Sequence, residues 1–246
     1  MNVCIIQARM GSTRLPGKIL KDILGKPMLW HVVERCRASK RLHKVVVATT
    51  VNSEDDAVEK LAKAEEWSYY RGSSEDVLDR YYQAAKQSGA DIVVRVTSDC
   101  PLIDPDIIDQ CVQKLIAGNY DYVSNCMDDS SSFPRGLDVS VIRFSALEQA
   151  HRDAIEPYQR EHVVPYIWDN KKIFKIGPQV IAAPNFQRTY RLTVDYPEDF
   201  QLMEEVYAAL YKPGAIIHTA EALSFLDNQQ EIESLNAHCE QKAYRI

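Results

Sequence analysis

The chain has 246 residues, 46% of them hydrophobic, with 29 Lys and Arg against 35 Asp and Glu, a formal net charge of −6. That length suits one large α/β domain, the acidic balance argues against a dedicated nucleic-acid binder, and no apolar run is long enough to span a bilayer. Six cysteines form no CxxC pair and no disulfide framework, and there is no signal-peptide pattern, so the expected setting is the reducing cytoplasm.

In chain order, residues 2–6 read as a strand, 27–38 as a helix and 44–49 as a second strand. Residues 53–64 read as a helix with Ser53 as its N-cap and two acids in its first turn. A helix over 74–88, a strand over 91–96 and a helix from Pro105 follow. Continuous apolar strands alternating with helices imply an α/β fold, a mostly parallel sheet flanked by helices on both faces. The rhythm changes over residues 119–183. Segments 120–126, 136–144 and 173–182 read as longer, more alternating strands, with helices near 145–153 and 161–169. This is expected to be an antiparallel insertion that covers an acceptor substrate or pairs with a second subunit. Parallel order is expected to resume with a strand at 190–194, before a helix over 197–210 with Pro at its first turn. Residues 228–246 are polar and read as a peripheral tail of the single domain 1–246.

The strongest chemical feature follows the first strand, the loop from Gln7 to Lys18. Gly11 and Gly17 let backbone N–H groups approach a ligand closely, and Arg9, Arg14 and Lys18 supply three cations. Such a loop suits a triphosphate. It is a near-miss for the P-loop, having five residues between the glycines and Ile19 after the lysine, and no GxGxxG fingerprint occurs. Two acids end predicted strands. Asp99, in Thr97-Ser98-Asp99-Cys100-Pro101, is placed to hold Mg²⁺ beside phosphates; its competing role is a turn cap. Asp195, in Val194-Asp195-Tyr196-Pro197, has the same choice between metal and helix cap. Asp104-Pro105-Asp106 matches a loose metal-binding DxD, although capping explains it equally. The six histidines lack zinc-ligand spacing, no GxSxG elbow is present, and Cys100 reads as a packed thiol rather than a nucleophile.

These motifs resemble the cytidylyltransferases that activate acidic sugars, the CMP-Kdo synthetase and acylneuraminate cytidylyltransferase superfamily, above all its branch of spore coat polysaccharide biosynthesis protein F-like members. The resemblance rests on the loop from Ile5 to Lys18, on Gly25-Lys26-Pro27-Met28, on Val46-Val47-Ala48-Thr49 and on Val194 to Asp199. Arg71-Gly72-Ser73-Ser74-Glu75-Asp76-Val77-Leu78-Asp79-Arg80-Tyr81, Arg135-Gly136-Leu137-Asp138 and Arg160-Glu161-His162 look specific to the branch. It implies a Rossmann-like, GT-A-like nucleotidyltransferase fold, a homodimer built through the insertion, and Mg²⁺-dependent transfer of CMP from CTP to a sugar hydroxyl. Carried onto this sequence, Ala8, Arg9, Gly11, Ser12, Arg14 and Lys18 would bind the triphosphate and Ser73 would neighbour the cytosine. Asp99 and Asp195 would be metal ligands; Arg9, Lys18 and Asp99 would be catalytic. Arg135, Asp138, Arg160 and His162 are the acceptor candidates, since an Arg fork suits a sugar carboxylate. The chain has Cys100 where CMP-Kdo synthetases usually carry Glu. The alternatives are a glycosyltransferase of similar architecture that consumes a nucleotide sugar, and a non-catalytic nucleotide-binding protein.

Overall fold

The computed structural model describes residues 1–127 and 130–241. Six strands form its main sheet: β1 (Asn2–Gln7), β2 (Lys44–Thr50), β3 (Ser68–Gly72), β4 (Ile92–Thr97), β5 (Tyr122–Ser124) and β6 (Ser140–Arg143). Their spatial order is β3-β2-β1-β4-β6-β5. The first four run parallel, and β6 is antiparallel to both β4 and β5.

Alternation along β1 feeds two cores. Cys4 and Ile6 pack with Leu29 and Val32 of α1 (Met28–Arg37), Ile108 of α4 (Pro105–Ala117) and Met203 of α8 (Pro197–Leu210). On the opposite face, Val3 and Ile5 pack with Leu78 and Tyr81 of α3 (Val77–Gln87), Leu147 of α5 (Phe144–Asp153) and Ile167 of α7 (Pro165–Asp169). All of these side chains are buried, and each of the large aliphatic ones contributes about 1.5–3 kcal/mol. No helix among the described residues is long and apolar enough to cross a membrane.

Several elements depart from expectation. β3 has no apolar run to announce it: its residues Ser68, Tyr69, Tyr70 and Arg71 are half-buried at the sheet edge, where charge protects an open strand. Ser53 caps nothing; residues 53–55 are a short 3-10 turn leading into α2 (Asp56–Ala64). The helix expected over 161–169 is split into α6 (Pro157–His162) and α7. Val163 between them has φ 73, a left-handed value that ends the first helix. Among the described residues, the strand expected over 173–182 forms one bridge, from Ile176 to Tyr122, and is interrupted at Pro178, which has no N–H for a ladder, although Val180 N donates to Ser124 O beyond it.

The strand expected at 190–194 does not enter the sheet either. It crosses the mouth of the domain: Leu192 N donates to Arg135 O at 2.7 Å, and Val194 N to Asp99 O at 2.8 Å. Gly136 allows this crossing, with φ 99 and the Leu192 backbone pressed against it. A Cβ on residue 136 would lie 2.4 Å from the Leu192 carbonyl carbon and 2.6 Å from Thr193 N. Gly136→Ala is therefore expected to cost on the order of 3 kcal/mol, lowering Tm by roughly 6–12 °C. A variant melting with the parent in a thermal scan would contradict this crossing.

Candidate active site

From β1 the chain moves to β2 on one side, while β4 lies on the other, so the strand order reverses between β1 and β4. A crevice opens beyond the carboxyl ends of strands at such a point. The loop following β1 and the turn following β4 both face it.

The loop is tied down at its start and left accessible at its crest. Ala8 N donates to Ala48 O at 3.1 Å, Met10 N to Asp55 Oδ1 at 2.7 Å, and Leu15 N to Ser12 Oγ at 3.4 Å. Arg9 and Gly11 are exposed, and Gly17 reverses the chain with φ 68. Asp55 is fully buried and also accepts from the Thr50 hydroxyl, so an acid that reads as a helix-dipole residue is the loop's anchor.

Lys18 brings Asp99 and Asp195 together. Its Nζ donates to Asp99 Oδ2 at 3.2 Å, Asp195 Oδ1 at 2.9 Å and Val194 O at 2.6 Å. Burial alone would lower the Lys18 pKa, but Asp99 and Asp195 outweigh it and raise it. Burial would likewise raise Asp99, but the Lys18 charge and hydrogen bonds from Thr97 and Lys18 hold it below the usual carboxylate range. Asp195 also takes Arg14 Nη2 at 2.8 Å and Arg191 Nη2 at 2.9 Å.

Asp195 is not the helix cap. Asp199 does that work, accepting from Tyr196 N at 3.0 Å and Asp195 N at 2.8 Å. It also binds Arg191 Nε at 2.9 Å and Asn236 Nδ2 at 2.7 Å. The stretch after 227, expected to be peripheral, thus sends a buried Asn236 into the foundations of the site. The donor set of Asp99 and Asp195 fits a hard divalent cation: two carboxylates from separate segments whose oxygens converge on one positive centre. Asp104 does not join them, since its oxygens accept from Asp106 N and from Thr219 N and Oγ1. The DxD is a cap.

Two adjoining cavities extend from the acid pair. The inner one, about 140 Å³, is lined by Arg95, Asp99, Arg135, Asp138, Trp168 and Asp195 among others. The outer one, about 520 Å³, shares Arg135 and Asp138 with it. Cys100 borders the inner cavity, its thiol pushed up by burial and by the nearby acids Asp99 and Asp138, which makes it a poor nucleophile. Of the other acceptor candidates, Arg160 is turned elsewhere: its Nε donates to Asp76 at 2.9 Å and its Nη1 to His151 O at 2.7 Å. It clamps α6 onto the start of α3. His162, on the same helix, lines neither cavity.

Ser73 starts a turn, with Oγ accepting from Asp76 N at 3.0 Å and its carbonyl accepting from Arg80. Arg80 is 1% exposed, and burial, reinforced by the charge of Arg9, pulls its pKa down. Sequence reading assigned no role to Arg80, Arg95 or Arg191. The signal for the first two was a charge on an otherwise buried helix face and inside an apolar strand.

A parallel sheet with its cation-rich loop and acid pair at the strand-order reversal defines a nucleotidyltransferase of the Rossmann-like, GT-A-like kind. The family model described as cytidylyltransferase matches residues 3–242, and the chain belongs to that family. It is 33% identical over 212 residues to the spore coat polysaccharide biosynthesis protein SpsF of Bacillus subtilis, covering 82% of this chain and 85% of that protein. Over 116 residues it is 41% identical to the 3-deoxy-manno-octulosonate cytidylyltransferase of Geobacter sulfurreducens, covering 47% of this chain and 46% of that protein. A solved cytidylyltransferase from Leptospira borgpetersenii superposes with a TM-score of 0.86 at 35% identity, covering 94% of this chain and 96% of that one.

The Lys18 bridge makes a pH-dependent prediction. Asp99, held low, contributes stability above its unfolded pKa of about 3.9, lost as pH falls through its depressed folded value. Lys18, held high, contributes below about 10.4, lost as pH rises through its raised folded value. Lys18→Met is therefore expected to cost on the order of 3 kcal/mol near pH 7, with the Tm gap to the parent closing in strong acid. Equal Tm values at pH 7 would mean that the bridge does not form in solution.

Proposed function

We propose that this chain transfers CMP from CTP to a hydroxyl of an acidic sugar, a ulosonic or nonulosonic acid, releasing pyrophosphate, in surface polysaccharide biosynthesis. The observation that supports this most is the meeting of Lys18 with Asp99 and Asp195 beneath the loop, at the mouth of a cavity bordered by Arg95 and Arg135.

In this reading the backbone at Gly11 and the side chains of Arg9, Ser12, Arg14 and Lys18 hold the triphosphate, with Ser73 beside the cytosine, whereas Ala8, its N–H already given to Ala48 O, shapes the start of the loop. Arg14 and Lys18 rest on carboxylates until phosphate oxygens compete for them. The raised pKa of Lys18 keeps it protonated at any physiological pH, so its charge is available to the α-phosphate. Asp99 and Asp195 would hold Mg²⁺, which would supply further charge neutralisation to the triphosphate. Arg135 offers a fork to the sugar carboxylate. Phosphoryl-group transfer needs positioning and charge more than covalent participation, and this set supplies both. Pairing of two copies through residues 119–183 is supported by Ile155, Ile173 and Ile181, exposed at 83%, 51% and 59%. Light scattering returning a monomer at micromolar concentration would remove that part.

The test is pyrophosphate release from each of the four nucleoside triphosphates against a panel of ulosonic and nonulosonic acids. CTP is expected to exceed ATP and GTP by at least tenfold in kcat/KM, about 1.4 kcal/mol, within the range of one matched buried hydrogen bond. Equal rates with purine triphosphates, or consumption of a nucleotide sugar instead, would overturn the reading. In the same assay Asp99→Asn and Asp195→Asn are each expected to lose a hundredfold or so. Groups serving one ion act as a unit, so the double variant should be little worse, and each single change should raise the Mg²⁺ needed for half-maximal rate. A near-parental Asp195→Asn would remove Asp195 from the site.

A further inference from the structure

Among the described residues, two groups of metal-ligating side chains converge away from the pair of Asp99 and Asp195. Asp104, Asp106 and His218 form the first, and it is already spent: Asp104 accepts from Asp106 N, Thr219 N and Thr219 Oγ1. Glu198, His238 and Cys239 form the second, with a carboxylate oxygen, a ring nitrogen and the thiol sulfur all within 4.8 Å of one another. Spacing along the chain does not show it, because Glu198 opens α8 and the other two lie in the segment after 227.

All three stand on a fixed frame. Glu198 belongs to the first turn of α8, whose start is capped by Asp199. His238 and Cys239 are bracketed by anchors. Before them, buried Asn236 donates to Arg191 O at 2.9 Å and to Asp199 Oδ1 at 2.7 Å. After them, Glu240 O accepts from the Tyr196 hydroxyl at 3.3 Å, and Gln241 Oε1 accepts from Arg191 Nη1 at 2.7 Å. The side chains themselves keep their freedom. Glu198 Oε1 faces His238 Nε2 at 4.0 Å, too long for a hydrogen bond, and the two side chains are 42% and 68% exposed. Cys239 is half-buried and borders the outer cavity; burial and the charges of Asp199 and Glu198 push its thiol up. The trio is therefore a set of presented ligand atoms in negative surroundings, held on a backbone that is already in place.

The donors choose the metal. Zinc bonds of about 2.0–2.3 Å in a tetrahedron put ligand atoms roughly 3.3–3.8 Å apart, so small rotations of the two exposed side chains close the trio. Thiolate and imidazole favour a zinc-class ion over Mg²⁺, which prefers oxygen. One carboxylate and one thiolate also neutralise a divalent charge, leaving the fourth position to water. We propose that Glu198, His238 and Cys239 bind a zinc-class divalent cation. The ion would staple residues 236–241 to the start of α8 and so fix the wall that Asn236, Cys239 and Gln241 give to the outer cavity. As it binds, the Cys239 thiol releases its proton to solvent and the sulfur bonds to the metal.

The experiment titrates the chelator-stripped chain with Co²⁺, a spectroscopic stand-in for Zn²⁺, in excess Mg²⁺ to occupy oxygen-only sites. A thiolate-to-cobalt charge-transfer band should appear, saturate at about one ion per chain and vanish when Zn²⁺ displaces the cobalt. Cys239→Ser should abolish the band, whereas Cys126→Ser, which removes the other half-buried thiol, should keep it. His238→Ala and Glu198→Gln should each weaken Co²⁺ binding roughly tenfold or more, because a ligand is gone. Zn²⁺ should raise the Tm of the parent but not that of Cys239→Ser, since an ion that binds only the folded chain stabilises it. Absence of the band overturns the proposal. So does a band that survives Cys239→Ser, or adventitious binding of several ions that none of the variants alters. None of these readouts needs a substrate, so the outcome is independent of the cytidylyl-transfer reading.

Discussion

The ammonium of Lys18 between Asp99 and Asp195 is the interaction on which this site depends. It joins three segments in one contact: the loop after β1, the turn after β4, and the chain crossing toward α8. Around it stand Arg14 and Arg191 with Asp199, making three cations against three carboxylates. Such a cluster is an expensive way to hold a fold together, because desolvation consumes much of the Coulombic gain. Its value lies in exchange. In the proposed reading a polyphosphate would take over Arg14 and Lys18 and leave the carboxylates free for a divalent cation; as it stands, the arrangement keeps every charge compensated.

That exchange is useful only if the carboxylates do not drift, and the surrounding shell prevents it. Asp199 is fully buried and collects donors from Arg191, Asn236 and two backbone N–H groups, which fixes the start of α8 and with it the direction of Asp195. The Asp99 carbonyl is tied to Val194 N and Thr193 Oγ1. Asp55 does the same service for the cation-rich loop. None of these supporting residues need touch a substrate; they convert a loop and two turns into a rigid receptor.

The antiparallel addition extends the sheet and furnishes the cavity wall. β6 pairs beside β4 so that Ser140 lies opposite Arg95, putting a charged side chain of a central strand at the cavity rather than in a core. Arg135 and Asp138 come from the segment before β6, and Trp168 from α7. In the proposed reading, nucleotide and acceptor chemistry would thus come from different stretches of chain that meet at the acid pair.

The parallel sheet, its first, second and fourth strands, the helices after them and the cation-rich loop were legible in the sequence, because each is encoded locally. Apolar runs of strand length, helical periodicity and glycines among cations all act over a dozen residues or fewer. Asp99 and Asp195 were also legible singly, as acids that follow apolar runs. What the sequence left undecided was anything that depends on distant chain meeting in space. β3 had no apolar run to mark it, and the segment at 190–194 read as a strand because Leu192 and Val194 are apolar, although they bury against the mouth of the domain and not in the sheet. Whether Asp195 caps a helix or joins Asp99 turns on Asp199 taking the cap, which a helix-start pattern containing several acids does not rank. Arg160 read as an acceptor ligand until Asp76, 84 positions away, claimed it. Local pattern determined the elements and the candidate groups; only tertiary packing decided which charges found each other, because a charge pairs with whatever partner burial brings within reach.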